Sequence, residues 1–371
     1  MNVQVSPDKV KPAQAKLGIV DCDIHPSFKN KDALKPFMSK RWWDHYETYG
    51  SFTRKVFSTY LPYPRMSPDT ARADAWPPNG GAPGSDLDFL RKQLLDQHNI
   101  AHGILHPLRI GGYDQRNLEF GAALCSAIND WELADWVDPE PRLKGSIYIP
   151  QDYPEAAVKE IEKRAGDPRF VQITTAAFAS EPLGHRRYWP IFEAAEAADI
   201  TIGMHIGGMP GHAITGGGWP SFYFEHHFSN APIMESVIIS LVMEGVFERF
   251  PKLRMVFVEC DFAWVPAACW RMDKLWARMR DEVPHVKRPP SEIVKTNMWF
   301  TTQPIDEPEN PEHLRETMEW LGFDRILFAT DYPHWDFDDP DHTFKFKMTP
   351  QERAAIFREN AMKVYKLDKA A

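Results

Sequence analysis

Cysteine is scarce in this chain. Cys22, Cys125, Cys260 and Cys269 are the only four in 371 residues and form no CxxC pair, which excludes a zinc knuckle or a thioredoxin-like redox motif and leaves reduced thiols as the expectation. Long apolar runs are also missing. Nothing approaches the ~20 residues that span a bilayer, and the opening stretch "MNVQVSPDKVKPAQAKLG" lacks the apolar core of a secretory signal. A cytosolic protein with no membrane partner is expected. No Lys/Arg-rich run interrupts the chain, and acids outnumber bases 52 to 43 for a net charge of −9. Nucleic acid and anionic membranes are therefore excluded as partners.

A hydrophobic fraction of 43% is enough to fill a sizeable core. Its distribution is the informative part: short β-branched apolar runs alternate with longer stretches of helical period, the pattern of repeated βα units around a parallel sheet. Eight such runs are present, spanning Gly18–His25, Ala101–Leu108, Leu143–Pro150, Phe170–Ala176, Thr201–Gly208, Arg254–Asp261, Met298–Pro304 and Ile326–His334. Helical stretches such as "YPEAAVKEIEKRAG" and "YWPIFEAAEAADI" lie between them. The expectation is a single (β/α)8 TIM barrel over residues 1–371, with no composition break to mark a second domain. Two connections, Lys29–Gln97 after strand one and Gly211–Leu253 after strand five, are too long for plain barrel loops. The first is rich in Trp, Tyr, Pro and Gly, too aromatic for a disordered linker. Both insertions are expected to form a lid or subunit contacts.

In such a barrel the chemistry sits where the strands end. Strand one ends in "VDCDIHP", with Asp23 and His25 two apart and so on one face of a strand. Asp21 would share that face one step deeper, as a hydrogen-bonding support or equally as a further ligand. Strand five ends in His205, strand six in Glu259, and strand eight carries Asp331 with His334 three residues on. Acids and imidazoles from four strands converging on one mouth would leave buried charge uncompensated without a cation. Asp23, His25, His205, Glu259 and Asp331 are thus the expected metal ligands, and this mix of oxygen and imidazole suits Zn, Mn or Fe. Glu259, His227, His334 and Asp331 are the expected catalytic groups, with His106 and Arg109 after strand two as substrate contacts.

These residues carry a family resemblance. From "VDCDIHP" through "RFPKLRMVFVE" to "FATDYPH" and "IFRENAMKVYKL", the chain resembles the amidohydrolase superfamily, in the branch that includes α-amino-β-carboxymuconate-ε-semialdehyde decarboxylase and the aromatic-acid decarboxylases. The resemblance implies an amidohydrolase-type barrel in which Asp23, His25, His205 and Asp331 bind the metal, Asp23 standing for the first histidine of the usual HxH pair. Two departures matter. Strand four, "FVQITTA", has no Lys, Glu or Cys to bridge a second metal, which favours one ion over two. Strand six has Glu259 where the family's decarboxylases carry a catalytic histidine, and a carboxylate does not offer the same positively charged donor.

The expected function is a metal-dependent hydrolase or decarboxylase acting on a small carboxylate-bearing molecule, through metal-activated water or a metal-polarised substrate. The alternative is an Fe- or Fe/Mn-dependent oxygenase on the same scaffold, suggested by the carboxylate-rich ligand set. Aromatic segments such as "RWWDHYETYG" suggest a homodimer or a complex with a related subunit.

Overall fold

The computed structural model describes residues 17–53, 70–108, 111–207 and 213–369. Eight strands, β1 (Ile19–Ile24), β2 (Ile100–Leu105), β3 (Leu143–Tyr148), β4 (Phe170–Ala176), β5 (Thr201–His205), β6 (Met255–Val258), β7 (Met298–Thr301) and β8 (Ile326–Leu327), follow one another around one sheet in chain order. Every pair of neighbours is parallel. The sheet closes where Cys22 N donates to Phe328 O at 3.0 Å, His25 N to Tyr332 O at 2.8 Å and Asp331 N to Asp23 O at 3.1 Å.

Helices fill the crossovers: α1 (Lys40–Tyr49), α2 (Leu118–Glu132), α3 (Pro154–Arg164), α4 (Trp189–Ala197), α5 (Tyr223–Phe228), α6 (Asn230–Met243), α7 (Val265–Arg278), α8 (Pro290–Asn297) and α9 (Pro311–Leu321). α3 and α4 fall within the two stretches read as helical from sequence. Because helices cover the sheet, β1, β3 and β4 are buried at every position, polar residues such as Asp21, Asp23 and Gln172 included. Alternate residues serve separate cores: Val256, Val258 and Leu327 pack with Val20, Cys22, Ile104 and Val171 and the C-terminal Val364 and Tyr365, whereas Met255, Phe257 and Ile326 join the cluster that reaches the helices.

The sequence reading overshot several strand ends. β6 stops at Val258, because Glu259 (φ 55°) turns into the left-handed region that no strand residue occupies. β8 stops at Leu327, and Asp331 (φ 61°) makes the same left-handed turn four residues further on. The acids follow the strands rather than end them. All four cysteines are buried and unpaired. Among the described residues no helix is long and apolar enough to cross a membrane.

Candidate active site

At the C-terminal mouth of the barrel, Asp23, His25, His205 and Glu259 each bring one ligand atom to within 4.8 Å of the others, and so do His25, Glu259, Asp331 and His334. The two sets share His25 and Glu259, so all five ligands expected from the sequence meet at one place, joined by His334. His25 Nε2 lies 3.1 Å from Asp23 Oδ1 and 2.8 Å from Asp331 Oδ1, and His205 Nε2 lies 3.5 Å from Asp23 Oδ1 and 3.4 Å from Glu259 Oε2. Despite these distances both Asp23 oxygens, His25 Nε2 and His205 Nε2 are buried without a hydrogen bond. The atoms point at a common centre rather than at one another. Unpaired buried polar groups are costly, and separations of this size are the edges of a polyhedron built on bonds of ~2.1 Å to one cation. The residues therefore fit a divalent metal.

Neighbouring groups aim these side chains. His25 Nδ1 donates to His106 O at 2.9 Å, and His205 Nδ1 donates to the adjacent Ile206 carbonyl, so each ring keeps Nε2 for the centre. Gln303 Nε2 donates to Asp331 Oδ2 at 3.0 Å, and His334 Nδ1 lies 2.6 Å from Asp331 Oδ1. Of the two roles open to Asp21, the structure gives it the support, accepting from Thr330 N at 3.0 Å and Thr330 Oγ1 at 2.6 Å, and it is not in the ligand group. Holding Glu259 and Asp331 at positive φ stores backbone strain of the kind found at functional sites.

The electrostatics of the cluster suit a cation. Burial opposes charge on Asp23, yet the His25 and His205 imidazoles outweigh it and hold the carboxyl well below the usual range. Burial also opposes charge on His25, but Asp23 and Asp331 raise its proton affinity well above an ordinary histidine. Burial, followed by the charges of Asp331, Asp336 and Asp23, pushes Glu259 well above a normal glutamate.

Above the cluster opens a cavity of about 570 Å3, lined by His25, Glu259 and His334 at its floor and by Tyr113, Phe178, Tyr223, His227, Trp335 and Asp336 among its walls. Both insertions contribute, Tyr46 and Thr53 from the first and Ile214 and Asn230 from the second. His227 and His334, expected as catalytic, face this space. His106 does not, and the expectation of a substrate contact is corrected. Its ring is fully buried, with Nε2 accepting from Gln172 Nε2 at 2.9 Å and Nδ1 3.4 Å from Thr174 Oγ1, and burial pushes its pKa down to about 3. His106 is a neutral strut whose carbonyl fixes His25. Arg109 lies outside the described residues. Sequence reasoning did not assign a role to Asp336, which pairs with His227 at 3.0 Å, or to Gln303 and Thr330; only a polar residue near a strand end marked them.

Fold and site together define a (β/α)8 barrel with a metal-binding mouth. The chain belongs to the Amidohydrolase family, whose model matches residues 20–367. It is similar to the gamma-resorcylate decarboxylase of a Polaromonas species, 25% identical over 305 residues that cover 76% of this chain and 89% of the relative. Among solved structures it resembles an amidohydrolase from Mycobacterium avium subsp. paratuberculosis, with a TM-score of 0.72 at 18% identity, covering 95% of this chain and 100% of the other. A dihydroxybenzoic acid decarboxylase from Polaromonas with bound manganese has a TM-score of 0.67 at 20% identity, covering 95% of this chain and 98% of the other. The family and the fold are those expected from the sequence.

Proposed function

We propose that this protein is a metal-dependent decarboxylase of a small aromatic carboxylate, cleaving the bond between ring and carboxyl group without oxygen. The observation that carries the reading is the convergence of Asp23, His25, His205, Glu259 and Asp331 on one centre, with buried ligand atoms of Asp23 and the two histidines left unpaired, at the floor of a cavity. These five residues would hold the cation, with His334 at its edge. A bound divalent ion supplies Lewis-acid polarisation of the substrate's oxygens. Phe178, Tyr223 and Trp335 give the cavity aromatic walls suited to a flat ring. The decarboxylase names of the relatives favour this reading over hydrolysis, and no observation favours the oxygenase alternative.

The assembly reading follows from the second insertion. Trp219, Phe222, Phe224 and Phe228 are 65–77% exposed, an apolar group of the kind that marks subunit contacts. We read the protein as a cytosolic, single-domain barrel that associates with a second copy or a related subunit through its insertions. Sedimentation at micromolar concentration gives a dimer on this reading; a monomer contradicts it.

The function is tested by incubating manganese-loaded protein anaerobically with a panel of hydroxybenzoic acids, 2,6-dihydroxybenzoate included. Release of CO2 in equal amount with the decarboxylated arene is expected. Failure to release CO2 from any member, or a requirement for O2, contradicts the reading.

A further inference from the structure

A decarboxylation needs an acid, because the ring carbon that loses CO2 must gain a proton. Glu259, the acid that follows strand six, is drawn into the ligand group. Among the described residues lining the cavity there is no lysine or arginine, so an imidazole is the available cationic donor. His25 is committed to the ligand group, and His334 is held by Asp331 at 2.6 Å. Burial, followed by the neighbouring His227, lowers the proton affinity of His226.

His227 is placed differently. Its Nε2 lies 3.0 Å from Asp336 Oδ2, its ring lines the cavity, and among the described residues its Nδ1 has no hydrogen-bond partner. The pairing joins α5, in the insertion after β5, to the loop after β8. A second tie between the same two elements, Trp335 Nε1 donating to Tyr223 OH at 3.2 Å, braces it. The Trp335 and Tyr223 rings flank the imidazole at 5.5 and 5.8 Å. The hydrogen bond to Asp336 raises the proton affinity of His227 by more than burial lowers it.

We propose that His227 is the acid of the reaction and Asp336 its positioning partner. Nε2–H stays on the Asp336 carboxylate, and Nδ1–H is delivered to the ring carbon bearing the carboxylate. A carbon–hydrogen bond forms there, and the ring–carboxyl bond breaks with its electron pair returning to the ring. CO2 leaves and neutral His227 recovers a proton from water. The sum is ArCO2− + H+ → ArH + CO2, with no oxidant or reductant. The charged groups facing the imidazole are Asp336 and Asp331 from the strand-eight side and His226 from its own helix.

This inference rests on the decarboxylase reading. The test uses manganese-loaded protein and two readouts: CO2 release from the best acid of the panel, and exchange of the product's ring hydrogen for deuterium in D2O, which samples the proton transfer alone. His227→Gln is expected to lower both by about 10²- to 10⁴-fold, with metal content and KM unchanged. Asp336→Asn is expected to move the alkaline limb of the kcat–pH profile to lower pH, because the imidazolium loses its carboxylate. A His227→Gln protein that keeps its metal and near wild-type exchange overturns the inference and leaves the decarboxylase reading standing. So does loss of metal in that variant, or an unmoved Asp336→Asn profile. Wild-type protein that decarboxylates nothing on the panel overturns both.

Discussion

The backbone amide of Asp331 donates to the carbonyl oxygen of Asp23 at 3.1 Å, so two carboxylates from opposite ends of the chain are registered by the bond that closes the barrel. The neighbouring side chains tighten the seam, Thr330 Oγ1 reaching Asp21 Oδ2 at 2.6 Å inside a fully buried pocket. Thr330→Val should lower stability by about 1–3 kcal/mol by stranding the Asp21 oxygen and should weaken metal binding. Thr330→Ser should restore both. Denaturant titration with a metal-binding isotherm checks this, and a valine variant as stable as wild type contradicts it.

Gly84 supports the centre from the first insertion. Its φ is +72°, and a Cβ there would lie 2.4 Å from the backbone oxygen of His25; its own carbonyl accepts from Ser27 N at 2.7 Å. Gly84→Ala combines left-handed strain of at least about 1 kcal/mol with displacement of the strand that aims His25. The expected outcome is a lowered melting temperature and lower metal occupancy, read by calorimetry and elemental analysis. Full occupancy in the alanine variant would show that the His25 backbone does not depend on this contact.

Glu259 is the departure that most distinguishes this site from the pattern the sequence resembles. With its carboxyl oxygen 3.4 Å from His205 Nε2, it acts as a ligand in this account. Glu259→Gln preserves shape and removes charge, so metal affinity should fall by at least about tenfold while the circular dichroism spectrum stays unchanged. Normal metal affinity with lost turnover would instead make Glu259 a base.

The acid limb of stability has an assignable source away from the centre. Glu140 is held at about 2, first by the Arg142 guanidinium, against the opposing effect of burial, and then by Arg91. An unfolded glutamate titrates near ~4.3, so the native state binds fewer protons between these values. The contribution of Glu140 is present above about pH 4.3 and is lost as pH falls through about 2. In metal-free protein, Glu140→Gln should lower the denaturation midpoint at pH 7 and flatten its decline between pH 4.5 and 2. An unchanged slope contradicts the assignment.

Much of this was legible in the sequence, for physical reasons. Buried parallel strands are rich in β-branched and apolar residues, so runs such as Phe170–Ala176 stand out and β4 has those bounds. Polar groups of a barrel site sit where strands finish, so the convergence of Asp23, His25, His205, Glu259 and Asp331 could be anticipated from position and residue type. Periodicity carries no information on the sign of φ, so the turns at Glu259 and Asp331 were read as strand. His106 looked like a cavity residue because a histidine near a strand end reads the same whichever way its ring points. The His227–Asp336 pair left no local trace at all: its members are 109 positions apart and meet only because the second insertion packs over the strand-eight loop.

The central claim is the metal centre, and elemental analysis of protein purified without chelator and re-equilibrated with manganese tests it most directly. Wild-type protein should bind manganese stoichiometrically, and Asp23→Asn and Asp331→Asn should each lose it while keeping the circular dichroism of the fold, since each removes a buried carboxylate from the point where His25 Nε2 and its neighbours converge. Stoichiometric manganese retained by both variants would contradict the account.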